Sequence, residues 1–144
     1  MIRKIKKEDK TAYLDMAKDF YSSEAVHQNV AGQHFSDTFN ELMRSDDYAA
    51  GYIIEYQNHI AGYALLAKTY SQEAGGMVIW IEELYIMPSY RGLGLGHEFF
   101  AYLKSNLPNN IKRLRLEVED SNKKAVSLYR RLGFENLPYS QMVK

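Results

Sequence analysis

The chain has 144 residues, 46% of them hydrophobic and 25% charged, which suits one globular domain over residues 1–144 with a core of its own. It has no cysteine, which excludes disulfide staples, thiolate zinc sites and a thiol nucleophile, and suits a reducing cytoplasm. Net charge is zero, the charged start Met1–Lys10 is not followed by the apolar stretch of a signal peptide, and no run nears the ~18–20 apolar residues of a membrane span.

In chain order, Met1–Ile5 reads as a short strand. Tyr13, Met16, Ala17 and Phe20 recur at helical spacing from Thr11 to about Phe20. Residues 20–32 break that pattern and read as a loop or broken helix. Phe35, Phe39, Leu42 and Met43 mark one face of a second helix. Two strand-like runs, 48–57 and 60–70, flank Asn58-His59 and predict a hairpin. Tyrosines 48, 52, 56 and 63 fall on these strands, where tyrosine is at home. Residues 75–87 form a long β-rich run. The stretch Ser89–Gly96 ends it and opens a helix near Gly94, with Phe99, Phe100 and Leu103 facing inward. Residues 111–119 alternate, with Leu114, Leu116 and Val118 inward and Ile111 out of step, so they predict another strand. Asn122 caps a last helix whose face is Ala125, Leu128, Tyr129 and Leu132, and Gly133 ends it. Residues 142–144 are a further strand candidate. The order β-α-α-β-β-β-α-β-α-β predicts a mixed α/β sheet, antiparallel early and crossed over by a helix late.

Charge is unevenly spread. Residues 8–55 hold ten acids and three bases, whereas residues 91–131 hold nine bases and four acids. That suits a cationic ligand near the first half and an anionic one near the second. Glycines 92, 94 and 96 follow Arg91 at a strand-to-helix junction. Without Cβ atoms the backbone N–H groups approach a ligand closely, and the helix adds its positive end, so the turn suits a pyrophosphate. It does not end in Gly-Lys-Ser/Thr as a Walker loop does. Its GxGxG spacing, late in the chain, also differs from the dinucleotide-binding fingerprint. The histidines at 27, 34, 59 and 97 lack a metal-ligand spacing, and no basic stripe with interleaved aromatics suggests nucleic acid. Strand residues alternate between faces, so Glu82 and Glu83 share one task only if a bulge intervenes.

Tyr90-Arg91-Gly92-Leu93-Gly94-Leu95-Gly96 resembles the R/Q-x-x-G-x-G/A pyrophosphate loop of GNAT-superfamily N-acetyltransferases, and Asn122–Phe134 resembles that family's N-x-x-A-x-x-x-Y-x-x-x-G-F helix. The resemblance covers the whole chain and is most specific from residue 80 to 134. It implies a mixed, largely antiparallel sheet of six to seven strands flanked by about four helices. A splayed pair of parallel strands would hold acetyl-CoA, with no metal. Leu84, Tyr85 and Ile86 would line the pantetheine arm, with Leu84 and Ile86 supplying the backbone groups. The amides of Arg91, Gly92, Leu93, Gly94, Leu95 and Gly96 would hold the pyrophosphate. Asn122 would contact the pantetheine or the splayed strand, and Lys124 is among the bases that would meet the 3′-phosphate. Glu82 or Glu83 would serve as base and Tyr129 as acid. Residues 80–96 are most similar to spermidine/spermine (diamine) acetyltransferases, which implies a small cationic amine as acceptor, with Glu24 and Glu83 on its path. Aminoglycoside, thialysine-like and protein acceptors, and an acyl-CoA sensor without activity, stay open as alternatives. Many relatives are dimers, and a strand edge near the C-terminus would suit a homodimer.

Overall fold

The computed structural model describes residues 1–23 and 30–144. Five strands form one sheet in the order β1-β2-β3-β4-β5. They are β1 (Ile2–Lys4), β2 (Ala49–Tyr56), β3 (His59–Ser71), β4 (Gly76–Ile86) and β5 (Ile111–Leu116). The helices are α1 (Lys10–Tyr21), α2 (Gly32–Arg44), α3 (Leu95–Asn106) and α4 (Lys123–Arg131). The first four strands pair antiparallel, and β5 joins β4 in parallel after the α3 crossover.

Alternation along the strands divides the core into two layers. Ile53, Tyr63 and Tyr85 point to α1 and α2, where Tyr13, Met16, Ala17, Phe35 and Phe39 are buried against them. Ile54, Ala64, Leu66, Ile79 and Ile81 point the other way, to Leu95, Phe99, Phe100 and Leu103 of α3. Tyr129, Leu132 and Phe134 pack on that second layer.

The β2–β3 turn falls on Gln57 and Asn58, one residue before the expected position. Both take positive φ (49° and 65°), the backbone of the tight hairpin turn that matches strand twist. Four helices match expectation, but five strands replace six to seven among the described residues. Residues 142–144 form no strand: Met142 and Val143 are almost fully exposed, and Pro138 upstream lacks the N–H a ladder needs. Val118 lies beyond the end of β5 and is exposed, because the strand stops at Leu116. Ile111 is out of step with the alternation of Leu114 and Leu116, but the ladder shifts register between Met77 and Val78, skipping Lys112, so Ile111 is half-buried against the same α3 layer.

A charged cluster anchors the entrance to α1. Arg3 donates to both oxygens of Asp9 (2.8 and 2.9 Å) and to Glu55 (2.7 Å). Asp9, 4% exposed, also accepts from the Lys6 N–H. The Arg3 hydrogen bonds hold the Asp9 carboxyl below its ordinary value, against the cost of burial. A carboxyl whose folded pKa is depressed stabilises above its unfolded pKa, about 3.9, and loses that contribution as pH falls through the folded value. Urea midpoints should therefore fall between roughly pH 5 and pH 3 in the wild type. The fall should be smaller in Asp9→Asn, which starts less stable; equal slopes would remove Asp9 from the acid transition.

Candidate active site

The site sits where β4 and β5 part. Their parallel register runs from Met77–Ile111 to Ile81–Leu116 and stops there, while β4 continues to Ile86 against β3 alone. The Met87 N–H donates to Ala61 on β3, so by antiparallel alternation Leu84 and Ile86 turn their N–H and C=O groups away from β3, toward the opening. The Ile86 carbonyl accepts from Arg91 Nε at 2.9 Å. Tyr85 faces α1 instead: its ring is buried and its hydroxyl donates to Asp19. Desolvation, then that bond, pushes the Tyr85 hydroxyl up to about 12.

A bulge decides where the two acids point. On β3, Leu65 pairs with Glu83 and Leu66 with Ile81, which leaves Glu82 as the extra residue. The parity of β4 switches there. Ile79 and Ile81 face α3 before it, whereas Glu83 and Tyr85 face α1 after it. Both carboxylates therefore line one cavity of about 250 Å³, with Tyr13, Tyr21, His34, Phe35 and Leu65. The condition that alternation placed on a shared role is met.

The acids differ in environment. Glu83 is 7% exposed, and its two oxygens accept from Tyr21 and Tyr63 at 2.5 Å each. Desolvation raises its pKa, and the two hydroxyls pull it partly back. Burial first, and then the charge of Glu83 and its hydrogen bonds, drive the Tyr21 and Tyr63 hydroxyls well above the usual phenol range. Glu82 is exposed at the cavity mouth. Partial desolvation, then the charges of Glu117 and Glu83, raise its pKa too. Glu82 thus has an accessible carboxylate that holds a proton more readily than a free one.

The glycine turn lies beyond the open lip. Gly92 and Gly94 take φ of 79° and 81°, which a side chain resists, and Gly94 caps α3. Among the described residues, no other group accepts from the N–H groups of residues 92–97. Arg91, Leu93 and the two left-handed glycines are exposed, while Leu95 is buried beneath the turn. A Cβ on Gly96 would come within 3.1 Å of Leu128, so the start of α3 packs closely on α4. Free amides, a helix start and an arginine suit a pyrophosphate.

Asn122 caps α4 by accepting from the Ala125 N–H at 3.3 Å, and Lys124 is exposed in the first turn. Tyr129 packs edge-on against Phe100 and Phe134 (5.9 Å each), and burial raises its pKa. Among the described residues its hydroxyl has no hydrogen-bond partner. It belongs to the α3 layer, so it and Glu82 lie on opposite sides of the sheet. Glu24 and His27 lie outside the described residues. No local sequence signal marks Tyr21 and Tyr63 as site residues, since strand and helix-end tyrosines look the same whether they pack or hold a carboxylate. Among the described residues no group of acids and histidines has metal-ligand geometry.

The acetyltransferase (GNAT) family model matches residues 11–134. Thialysine N-epsilon-acetyltransferase of Mus musculus is 39% identical over 83 residues, 57% of this chain and 48% of that protein. Spermine/spermidine N(1)-acetyltransferase of Bacillus subtilis (strain 168) is 29% identical over 84 residues, 56% of this chain and 55% of that protein. The chain spans about half the length of the curated relatives it matches. The crystal structure of a possible acetyltransferase from Clostridium difficile 630 superposes with a TM-score of 0.83 at 18% identity, over 100% of this chain and 95% of that one, a likeness of fold.

Proposed function

The chain belongs to the GNAT acetyltransferase family, and from that premise we propose that it moves an acetyl group from acetyl-CoA directly to the primary amine of a small cationic acceptor. The observation that carries this reading is the bulge that turns Glu82 and Glu83 into one cavity beside the parted strands. Acetyl-CoA, when bound, supplies the activated acyl group and a thiolate leaving group. The open edge at Leu84 and Ile86 suits its amide-bearing arm, and the amides and charge of Arg91, Gly92, Leu93, Gly94, Leu95 and Gly96 suit its pyrophosphate. Asn122, at the cap of α4, borders that arm, and Lys124 is a candidate for the 3′-phosphate.

An alkylamine is mostly protonated at neutral pH and attacks only after losing a proton. Glu82 takes that proton, directly or through water. It is accessible and its pKa is raised toward the working range, whereas both Glu83 oxygens are occupied by tyrosine hydroxyls. Glu83 instead gives the cavity a negative wall that favours a cationic acceptor, a role it would share with Glu24. Tyr129 donates its proton to the departing thiolate. No cysteine is present to carry the acetyl group, which favours direct transfer.

Replacing Tyr129 with Phe should lower kcat roughly tenfold and leave acetyl-CoA affinity nearly unchanged; an unchanged kcat would remove the acid role. Free-CoA release, followed against spermidine, putrescine, thialysine, an aminoglycoside and a lysine peptide, tests the acceptor. Release with a small amine is expected. Release only with the peptide or the aminoglycoside would move the acceptor to those classes, and tight acetyl-CoA binding with no release from any amine would favour a sensor.

A further inference from the structure

Past the acid pair, the same face of the sheet carries a guanidinium that nothing in the chemistry above uses. Arg115 on β5 is in register with Trp80 on β4, and its guanidinium lies 4.1 Å from the centre of the indole ring. The pair belongs to the acceptor face. Leu65 faces α1, Ala67 follows two residues later, and Ala67 is paired with Trp80. Glu117, two residues beyond Arg115, lies close enough to Glu82 for its charge to act there. Two residues along a strand and one strand across is a separation of about 8 Å, so Arg115 sits near the acids but beside their cavity.

Arg115 is half-buried, and among the described residues it pairs with no carboxylate. Its neighbour Arg113 is held by Glu73 at 3.3 Å. A guanidinium stacked on an indole keeps its in-plane N–H donors free and has little rotamer freedom left to lose, which suits a carboxylate taken side-on. The acids already draw a cation to the splay. A ligand that spans both ends carries an ammonium at one end and a carboxylate at the other.

Resting on the acetyltransfer reading above, we infer that the acceptor is an amino-acid-like amine rather than a plain polyamine, with Arg115 holding its carboxylate while its distal amine reaches Glu82. A lysine-length chain has the reach this requires. The charge of Glu117 keeps the carboxylate at the Arg115 end. Arg115 is then a specificity residue that leaves the reacting atoms alone.

The test compares thialysine with bis(2-aminoethyl) sulfide, the same molecule without its carboxylate. Binding of each to the CoA-saturated protein is measured by calorimetry for the wild type, Arg115→Gln and Arg115→Lys. The wild type should bind thialysine roughly ten- to a hundredfold tighter than the diamine, the range of a charged hydrogen-bonded contact. Arg115→Gln should lose that preference by weakening thialysine alone, and Arg115→Lys should regain part of it. Unchanged diamine and CoA binding by the variants would show the fold intact. Equal binding of the two ligands by the wild type, equal weakening of both by Arg115→Gln, or no binding of either overturns the inference. Turnover measured alongside bears on the reading beneath it. A preserved preference with no acetylated product would remove the acetyltransfer and leave the carboxylate site standing.

Discussion

Glu82→Gln should lower kcat by roughly 10²- to 10⁴-fold, the range of a lost general base, and change acetyl-CoA affinity by less than about twofold. The substitution keeps the side chain's size and the bulge, because Glu82 is the extra residue of β4 and is exposed at the cavity mouth. It removes only the ability to accept a proton. The pH dependence follows. Desolvation and the nearby charges of Glu117 and Glu83 raise the Glu82 pKa, so its protonated form persists to higher pH than that of a free carboxyl. Protonated Glu82 cannot serve as base. Wild-type kcat/KM should therefore fall as pH drops through a value above the ordinary carboxylate range, and the variant should lack that limb. A variant that keeps both the rate and the acidic limb would shift the base to another group.

Gly62→Ala should cost at least about 2–3 kcal/mol and lower the melting temperature by roughly 10 °C. Gly62 is paired with Ile86 across β3 and β4. A Cβ at Gly62 would sit 2.2 Å from the Tyr85 carbonyl oxygen and 3.2 Å from Ile86 Cα. Both are backbone atoms, so no rotamer change relieves the overlap and the strands must separate. They would separate along the half of β4 that has no second neighbour and presents Leu84 and Ile86 to the opening. Weakened acetyl-CoA binding should accompany the lost stability. A melting temperature within about 2 °C of wild type would mean that the ladder yields easily there.

Much of this architecture is legible in the chain. Helical spacing of Tyr13, Met16 and Ala17 marks the buried face of α1, and Asn122 and Gly133 bracket α4, because caps and periodicity are local properties. The alternating glycines locate the turn for the same reason. The shared face of Glu82 and Glu83 was not legible. It depends on one unpaired residue in the β3–β4 ladder, and a bulge is a fact of register between strands, not of either strand alone. The hydroxyls on Glu83 come from Tyr21 and Tyr63, residues 62 and 20 positions away, contacts that no local pattern encodes. The expected last strand failed for a related reason: β propensity in residues 142–144 forms no strand without a partner edge at the right place.

The reaction proposed is direct transfer between acetyl-CoA and an amine held at Glu82. A single turnover followed by intact-mass spectrometry tests it most directly, with the protein in excess over acetyl-CoA and thialysine or spermidine present. The expected result is an amine heavier by one acetyl group, CoA released in equal amount, and a protein whose mass never changes. A protein that carries the acetyl group before the amine does, or acetyl-CoA that stays bound and intact beside every amine, would contradict it.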